Sequence, residues 1–255
     1  MGFPRIISSK GKKEHMQRYA KRFFAEKLLA HGFVSYQDEN LSWYRVINGE
    51  VLQSVYLFTA FSMDPILPFI GFGMTPLFVE VPLPQEVCVR GGLGNDERMT
   101  IVCMDPPRQQ VAEDIWVQST CSEECGAEKL DEEVFPILDR IHSISDAYEF
   151  YKSRYFDTAR LCREKGLDDQ IWVSDQFVDI AIYLDDKEMY PYCQKRIEHT
   201  MDLASSGYYR TMRDIERINL RYHAVVEGDR DMYLVELELR KKSFRTKLKN
   251  RVGVF

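Results

Sequence analysis

The chain has 255 residues, of which 45% are hydrophobic, 29% charged and 13% aromatic. This is the composition of a globular protein and excludes a collagen-like, low-complexity or wholly disordered chain. A formal net charge of -6 argues against a protein that coats nucleic acid.

Residues 14–31 carry Met16, Tyr19, Ala20, Phe23, Phe24 and Leu28 at helical spacing, with Lys27 at the edge of the stripe. His31-Gly32 ends this helix, because glycine accepts the left-handed conformation that closes a helix. Phe33 to Tyr36 reads as a short strand. Leu41 to Ile47 and Val51 to Phe61 are rich in aromatic and β-branched residues, and Asn48-Gly49 lies between them. That pair favours a type I′ turn and predicts a β-hairpin. The apolar stretch from Val55 to Val81 is long enough to span a bilayer, but Asp64, Pro65, Pro68, Gly71, Gly73 and Pro76 interrupt it. A strand, an apolar loop and a second strand at Leu77 to Val81 fit better than a membrane helix. Val87 to Val89 and Met99 to Met104 read as a looser strand pair.

After Pro106-Pro107 the periodicity turns helical. Val111, Ile115 and Trp116 share one face, and Leu130, Val134, Ile137, Leu138 and Ile141 another, with Pro136 marking a kink or restart. Ser145-Asp146 is the expected cap of a helix carrying Ala147, Tyr148, Tyr151 and Tyr155. From there the patterns are helical, broken at 166–169, 185–186, 205–207 and 227–229, which predicts serial antiparallel helices. In Arg230 to Arg251, Val235-Glu236-Leu237-Glu238-Leu239 alternates like a strand, yet Tyr233, Leu237, Phe244 and Leu248 hold a helical face. Straight-chain residues and a basic C-terminal end favour helix. The fold class is therefore α+β. A mostly antiparallel sheet of four to six strands with flanking helices occupies an α+β domain over 1–152. An all-helical region over 153–255 packs on or beside it.

The order of motifs resembles uncharacterised bacterial domains of unknown function that are loosely associated with toxin-immunity proteins. The residues that carry the likeness are Leu28-Leu29-Ala30-His31-Gly32-Phe33, the hairpin from Trp43-Tyr44-Arg45 to Leu52-Gln53-Ser54-Val55, Val134 to Ile141 around Pro136, and Ser143 to Ala147. They span about residues 14–152, and the apolar stretch from Asp64 to Pro76 departs from the pattern. The resemblance implies a fold and a link to toxin neutralisation, and no catalytic residues.

The charge is unevenly placed. Residues 1–31 are net +6 and residues 240–255 net +7, which leaves the intervening 208 residues at net -19. Two readings follow. The basic ends lie on the acidic body and relieve its self-repulsion, or the body presents an acidic surface to a basic partner. The acidic stretch 105–133 is the place to look for that surface, at Glu113, Asp114, Glu123, Glu124, Asp131, Glu132 and Glu133, with Trp116 as an aromatic anchor.

Signals for chemistry are weaker. Gly91-Gly92-Leu93-Gly94 runs back into a strand rather than into a helix, so it reads as a hairpin loop and not as a phosphate cradle. Cys121 and Cys125 lack a second ligand pair at zinc-site spacing, and Glu123 and Glu124 beside them disfavour thiolates. The five histidines form no metal array, and Glu80 has no carboxylate-x-lysine partner for a nuclease core. The six cysteines are too sparse for a disulfide scaffold and read as reduced thiols. Met1-Gly2 lacks the serine or threonine of an acylation signal, Ile7 standing in its place, and no signal-peptide run follows. The sequence thus predicts a cytoplasmic, non-enzymatic, immunity-type binding protein without catalytic residues, cofactor or metal, whose partner is a basic protein. The alternative is an enzyme of unknown class with a site between sheet and C-terminal helices, lined by Trp43, Tyr44 and a loop over 62–76.

Overall fold

A computed structural model describes residues 18, 21–22, 24–35, 42–58, 69–79, 128, 130–164, 173–206 and 212–253. Among these, helix α1 (Ala25–Ala30) leads into a four-stranded antiparallel meander: β1 (Val34–Ser35), β2 (Ser42–Ile47), β3 (Val51–Phe58) and β4 (Phe69–Pro76), paired in that order. A π-helical turn (Leu130–Val134) and the short α2 (Phe135–Leu138) follow. Then come α3 (Ile144–Glu164), α4 (Asp175–Leu184), α5 (Tyr190–Ser205), α6 (Met212–Tyr222), a second π-helical turn (His223–Glu227) and α7 (Asp231–Arg251). This is the α+β class. The strand pair over 87–104, the helix around Trp116, the Gly91 loop and the Cys121/Cys125 pair lie outside the described residues.

The Asn48-Gly49 turn forms as the sequence predicts. Asn48 (φ 50°) and Gly49 (φ 68°) are both left-handed, and the Glu50 N–H donates to the Ile47 carbonyl at 2.9 Å. The ladder then runs from Ile47–Val51 to Ser42–Tyr56. On one face of the sheet stand Trp43, Arg45, Val51, Gln53, Val55, Phe72 and Met74, following the two-residue alternation of the strands.

The second expected strand lies earlier than predicted. Phe69–Pro76 pairs along the whole of β3, so residues 69–76 are not a loop, whereas Leu77 to Val79 form a turn closed by the Val79 N–H on the Pro76 carbonyl. Pro76 has no N–H to give a ladder, so it ends the strand. Gly71 and Gly73 lie inside it, opposite Tyr56 and Ser54.

The α3 cap also sits elsewhere than expected. Ser143, not Ser145, accepts the Asp146 N–H at 3.1 Å, and the Asp146 carboxylate reaches back to the His142 N–H at 2.9 Å. The Ser143 contact satisfies one of the donors that a helix start leaves open, and the Asp146 contact ties down the residue before the cap.

Sheet and helices share one apolar core. The Tyr151 hydroxyl on α3 donates to the Met74 carbonyl on β4 at 2.6 Å, and the Phe78 ring lies 4.7 Å from that of Tyr183 on α4. Helix α3 runs without a break through residues 152 and 153. In α4 the six consecutive residues Phe177 to Ile182 are all buried, so this helix is covered on every side. Its one charged residue in that run is Asp179.

In α7 the strand-like alternation resolves into two opposite helix faces. Tyr233, Leu237, Phe244 and Leu248 are buried, while Met232, Val235 and Leu239 are exposed on the far side. No helix among the described residues is long and apolar enough to cross a membrane.

Gly49→Ala is expected to lower stability by about 1–2 kcal/mol, the cost of a Cβ at a left-handed residue. The added methyl would meet the Arg245 Nη2 only at ordinary contact distance, 3.6 Å, so the loss comes from the backbone. Urea unfolding of the two proteins measures it. Gly49→Asn should lose less, because asparagine tolerates this conformation.

Candidate binding surface and the buried charge network

The acidic stretch becomes visible at its C-terminal end. Leu130, Val134, Phe135 and Leu138 are buried and anchor the π-helical turn and α2, while Glu128, Asp131 and Glu132 stand exposed. Glu133 lies within the same turn. Glu113, Asp114, Trp116, Glu123 and Glu124 lie outside the described residues.

Polar contacts fix α2 to the sheet. Gln53, fully buried on β3, donates its amide to the Leu138 carbonyl at 2.7 Å and the Ile141 carbonyl at 3.3 Å, and accepts from Arg45 Nε at 2.7 Å. Arg45 Nη2 pairs with Asp139 at 2.6 Å, and its guanidinium lies 4.5 Å over the Phe33 ring. Asn48 adds a hydrogen bond to the His142 carbonyl at 2.8 Å. The His31 ring stacks on Phe135 at 3.6 Å. An amide buried with all these partners costs little, whereas the same amide unpaired would be expensive.

The basic ends do touch the acidic body. Lys27 on α1 donates to Asp131, and Lys241 on α7 lies 3.8 Å from Glu50 at the hairpin turn. Asp131 is thus exposed and paired with Lys27 at once, and Glu128 and Glu132 are exposed as well.

A second polar constellation, which the sequence reading missed, lies inside the helical layer. Asp179, 3% exposed, receives Arg221 Nε and Nη2 at 2.7 Å on one oxygen and Arg240 Nη1 at 3.1 Å on the other. The Tyr233 hydroxyl also donates to it, and itself accepts from Arg221 Nε at 2.9 Å. Around this centre Arg240 Nε binds Glu236 at 2.9 Å, and Arg196 Nε binds Asp175 at 2.8 Å. One carboxylate on α4 therefore ties α4, α6 and α7 together, and Asp175 extends the tie to α5.

Electrostatics follow from this packing. Burial by itself would lower the pKa of Arg221 and Arg240, but Asp179 and Tyr233, joined by Asp175 at Arg221 and by Glu236 at Arg240, together outweigh it and both rise. Burial would raise Asp175, yet Arg221 and Arg196 hold it below the usual carboxylate range. Arg217 is lowered, by burial and then by Arg240 and Arg221. At the α3–α5 junction Asp186 accepts from Tyr148 at 2.9 Å and Lys152 at 2.6 Å, and these bonds hold it low against its burial. Burial pushes the Cys193 thiol up to about 12, which leaves it inert as a nucleophile at neutral pH.

Among the described residues these groups bind one another. Trp43 and Tyr44, expected to line a site beside the helices, are buried in the core. Among the described residues no three His, Cys, Asp or Glu side chains gather as a metal-binding group.

The lowered carboxylates set a pH dependence. Asp146, Asp175 and Asp186 release protons more readily folded than unfolded. The unfolded chain therefore takes up protons first as pH falls. Their stabilisation is complete above about pH 5 and is lost as pH drops through about 4 toward the lowered folded values. Urea midpoints measured from pH 7 to 3 should be level and then fall. Asp186→Asn should start lower at pH 7 and fall less steeply.

No family model, curated protein or solved structure matches the chain.

Proposed function

We propose that this is a non-catalytic, cytoplasmic bacterial protein of the immunity type, which binds a basic protein through an acidic surface. The observation that carries the reading is where the charges go. Arg45, Lys152, Arg221, Arg230, Arg240 and Lys241 are partly or fully buried in contacts within the fold. Glu128, Glu132, Glu149, Glu188 and Glu216 remain on the outside. In the stretch from 32 to 239, itself at net -19, the exposed acids among the described residues outnumber the exposed bases Arg140, Arg160, Arg163, Lys187 and Lys195. Such a surface steers a cationic protein toward it and repels acidic ones.

The turn at Leu130–Val134 is the part of this surface best suited to recognition. Its apolar residues Leu130 and Val134 are buried in the core, while Asp131 and Glu132 are exposed, Asp131 being held by Lys27. A preorganised acidic turn loses little conformational freedom on binding. The resemblance of residues 14–152 to immunity-associated domains supports the same reading.

Immobilised protein should retain small basic proteins from a bacterial lysate at low salt and release them above about 0.3 M, where the screening length falls to a few ångströms. The double variant Glu128→Lys/Glu132→Lys should retain at least about tenfold less, with an unchanged melting curve, because both side chains are exposed. Absence of any retained protein at low salt would contradict the proposal, and so would retention indifferent to the double reversal.

A further inference from the structure

The outer face of α7 carries a feature that fold and proposed surface leave unused. Met232, Val235 and Leu239 are 64%, 57% and 56% exposed. At spacing i, i+3, i+7 they form one stripe, on the side of the helix away from Tyr233, Leu237, Phe244 and Leu248. Three large apolar side chains aligned on one exposed helix face differ from the scattered singles that any surface carries.

The charges beside that stripe are ordered. Successive residues on a helix turn by about 100°, which places Asp231, Glu238, Lys242 and Lys249 together along one flank of the stripe. The acids occupy the N-terminal half and the bases the C-terminal half. All four side chains belong to exposed residues. A partner complementary to this flank needs bases opposite Asp231 and Glu238 and acids opposite Lys242 and Lys249. An antiparallel copy of the same helix supplies that order.

The register is specific. Two antiparallel copies related by a two-fold axis near residue 240 bring Asp231 opposite Lys249 of the second copy and Glu238 opposite Lys242 of the second copy. Both pairs arise from a single register, and symmetry makes four. The two-fold also sets like flank beside like flank, as required for helices that run in opposite directions. In this register the Leu239 side chains of the two copies meet near the axis. Met232 and Val235 of each lie over Ser243 and Thr246 of the other, which are exposed on the same face.

We infer that the outer face of α7 is a self-association seam, on which a second copy of this chain docks its own α7 antiparallel. The seam is narrow, well short of the roughly 20–30 residues a side of a standard stable interface. The dimer therefore exchanges with monomer. The apolar stripe supplies most of the affinity, and the flanking charges select orientation. This inference does not depend on the acidic-surface reading.

Sedimentation velocity on the full chain across micromolar to millimolar concentration tests it. The wild type should shift from monomer to dimer within that range. Leu239→Glu should stay monomeric throughout. Lys242→Glu sets like charges opposite Glu238 of the second copy and should raise the dissociation constant about tenfold. Adding Glu238→Lys to Lys242→Glu restores opposite charges in both symmetry-related pairs and should return the dissociation constant to within a few-fold of wild type. All three positions are exposed, so far-ultraviolet circular dichroism and melting curves should match the wild type. A wild type monomeric at every concentration would overturn the inference, as would a dimer indifferent to Leu239→Glu. Failure of the charge swap to restore the dimer would overturn the antiparallel register.

Discussion

The helical half of this protein is built around one buried carboxylate. Asp179 lies in the middle of the apolar helix α4, where an unpaired charge would be costly. Arg221 from α6, Arg240 from α7 and the Tyr233 hydroxyl from α7 close on it from outside. Each of these partners is itself buried and has its charge or polar group satisfied in large part by Asp179 or its neighbours. The arrangement is mutual: the helices cannot separate without exposing one charge or stranding another. Apolar packing supplies the larger favourable energy, as in any core, but it is tolerant of sliding and rotation. A guanidinium that sets two nitrogens on one carboxylate oxygen is not, and with Arg240 on the other oxygen it fixes how α6 and α7 are set against α4.

That internal use of arginine shapes the exterior. Each base drawn inward takes a carboxylate with it, Asp179 for Arg221 and Arg240 and Asp186 for Lys152, and because acids outnumber bases over residues 32–239 the carboxylates left over stand outside. The same economy operates at the sheet, where Arg45 and Gln53 hold α2 through Asp139 and two carbonyls. The exposed carboxylates of the Leu130–Val134 turn therefore project from a segment pinned by both apolar and polar contacts. Fold and proposed function are joined at this point. The interactions that hold the protein together also sort its charges.

The local rules read well from the sequence. Asn48-Gly49 announces its own turn because left-handed backbone at two adjacent positions admits few residue pairs. The helices after residue 143 are visible through their stripes, and α7 is correctly helical despite its alternation. That alternation misleads because apolar residues on two opposite helix faces mimic a two-residue period. The strand Phe69–Pro76 was harder to read. Its glycines and terminal proline look like loop punctuation, yet Gly71 and Gly73 sit in the ladder and Pro76 takes the last position, where no further N–H is needed. The Asp179 network was not read at all. Its signal is a lone acid inside Phe177-Val178-Asp179-Ile180-Ala181-Ile182, with arginines 42 and 61 residues further on that face it only after folding. Spacing along the chain carries no trace of that meeting. Of the predicted acidic site, Asp131 and Glu132 were legible as exposed charge, but the pairing of Asp131 with Lys27, over a separation of 104 residues, was not.

The most direct measurement is the unfolding free energy of Asp179→Asn against wild type at neutral pH. The substitution keeps the shape and removes the charge. If Asp179 is the group that holds Arg221 and Arg240 in place, the variant should lose roughly 3–5 kcal/mol, because two buried guanidiniums lose the counter-charge they share and keep only Asp175 and Glu236 at their edges. The backbone amides of α6 and α7 should then exchange with solvent faster than those of the sheet. A variant as stable as the wild type, with α6 and α7 equally protected, would contradict the account.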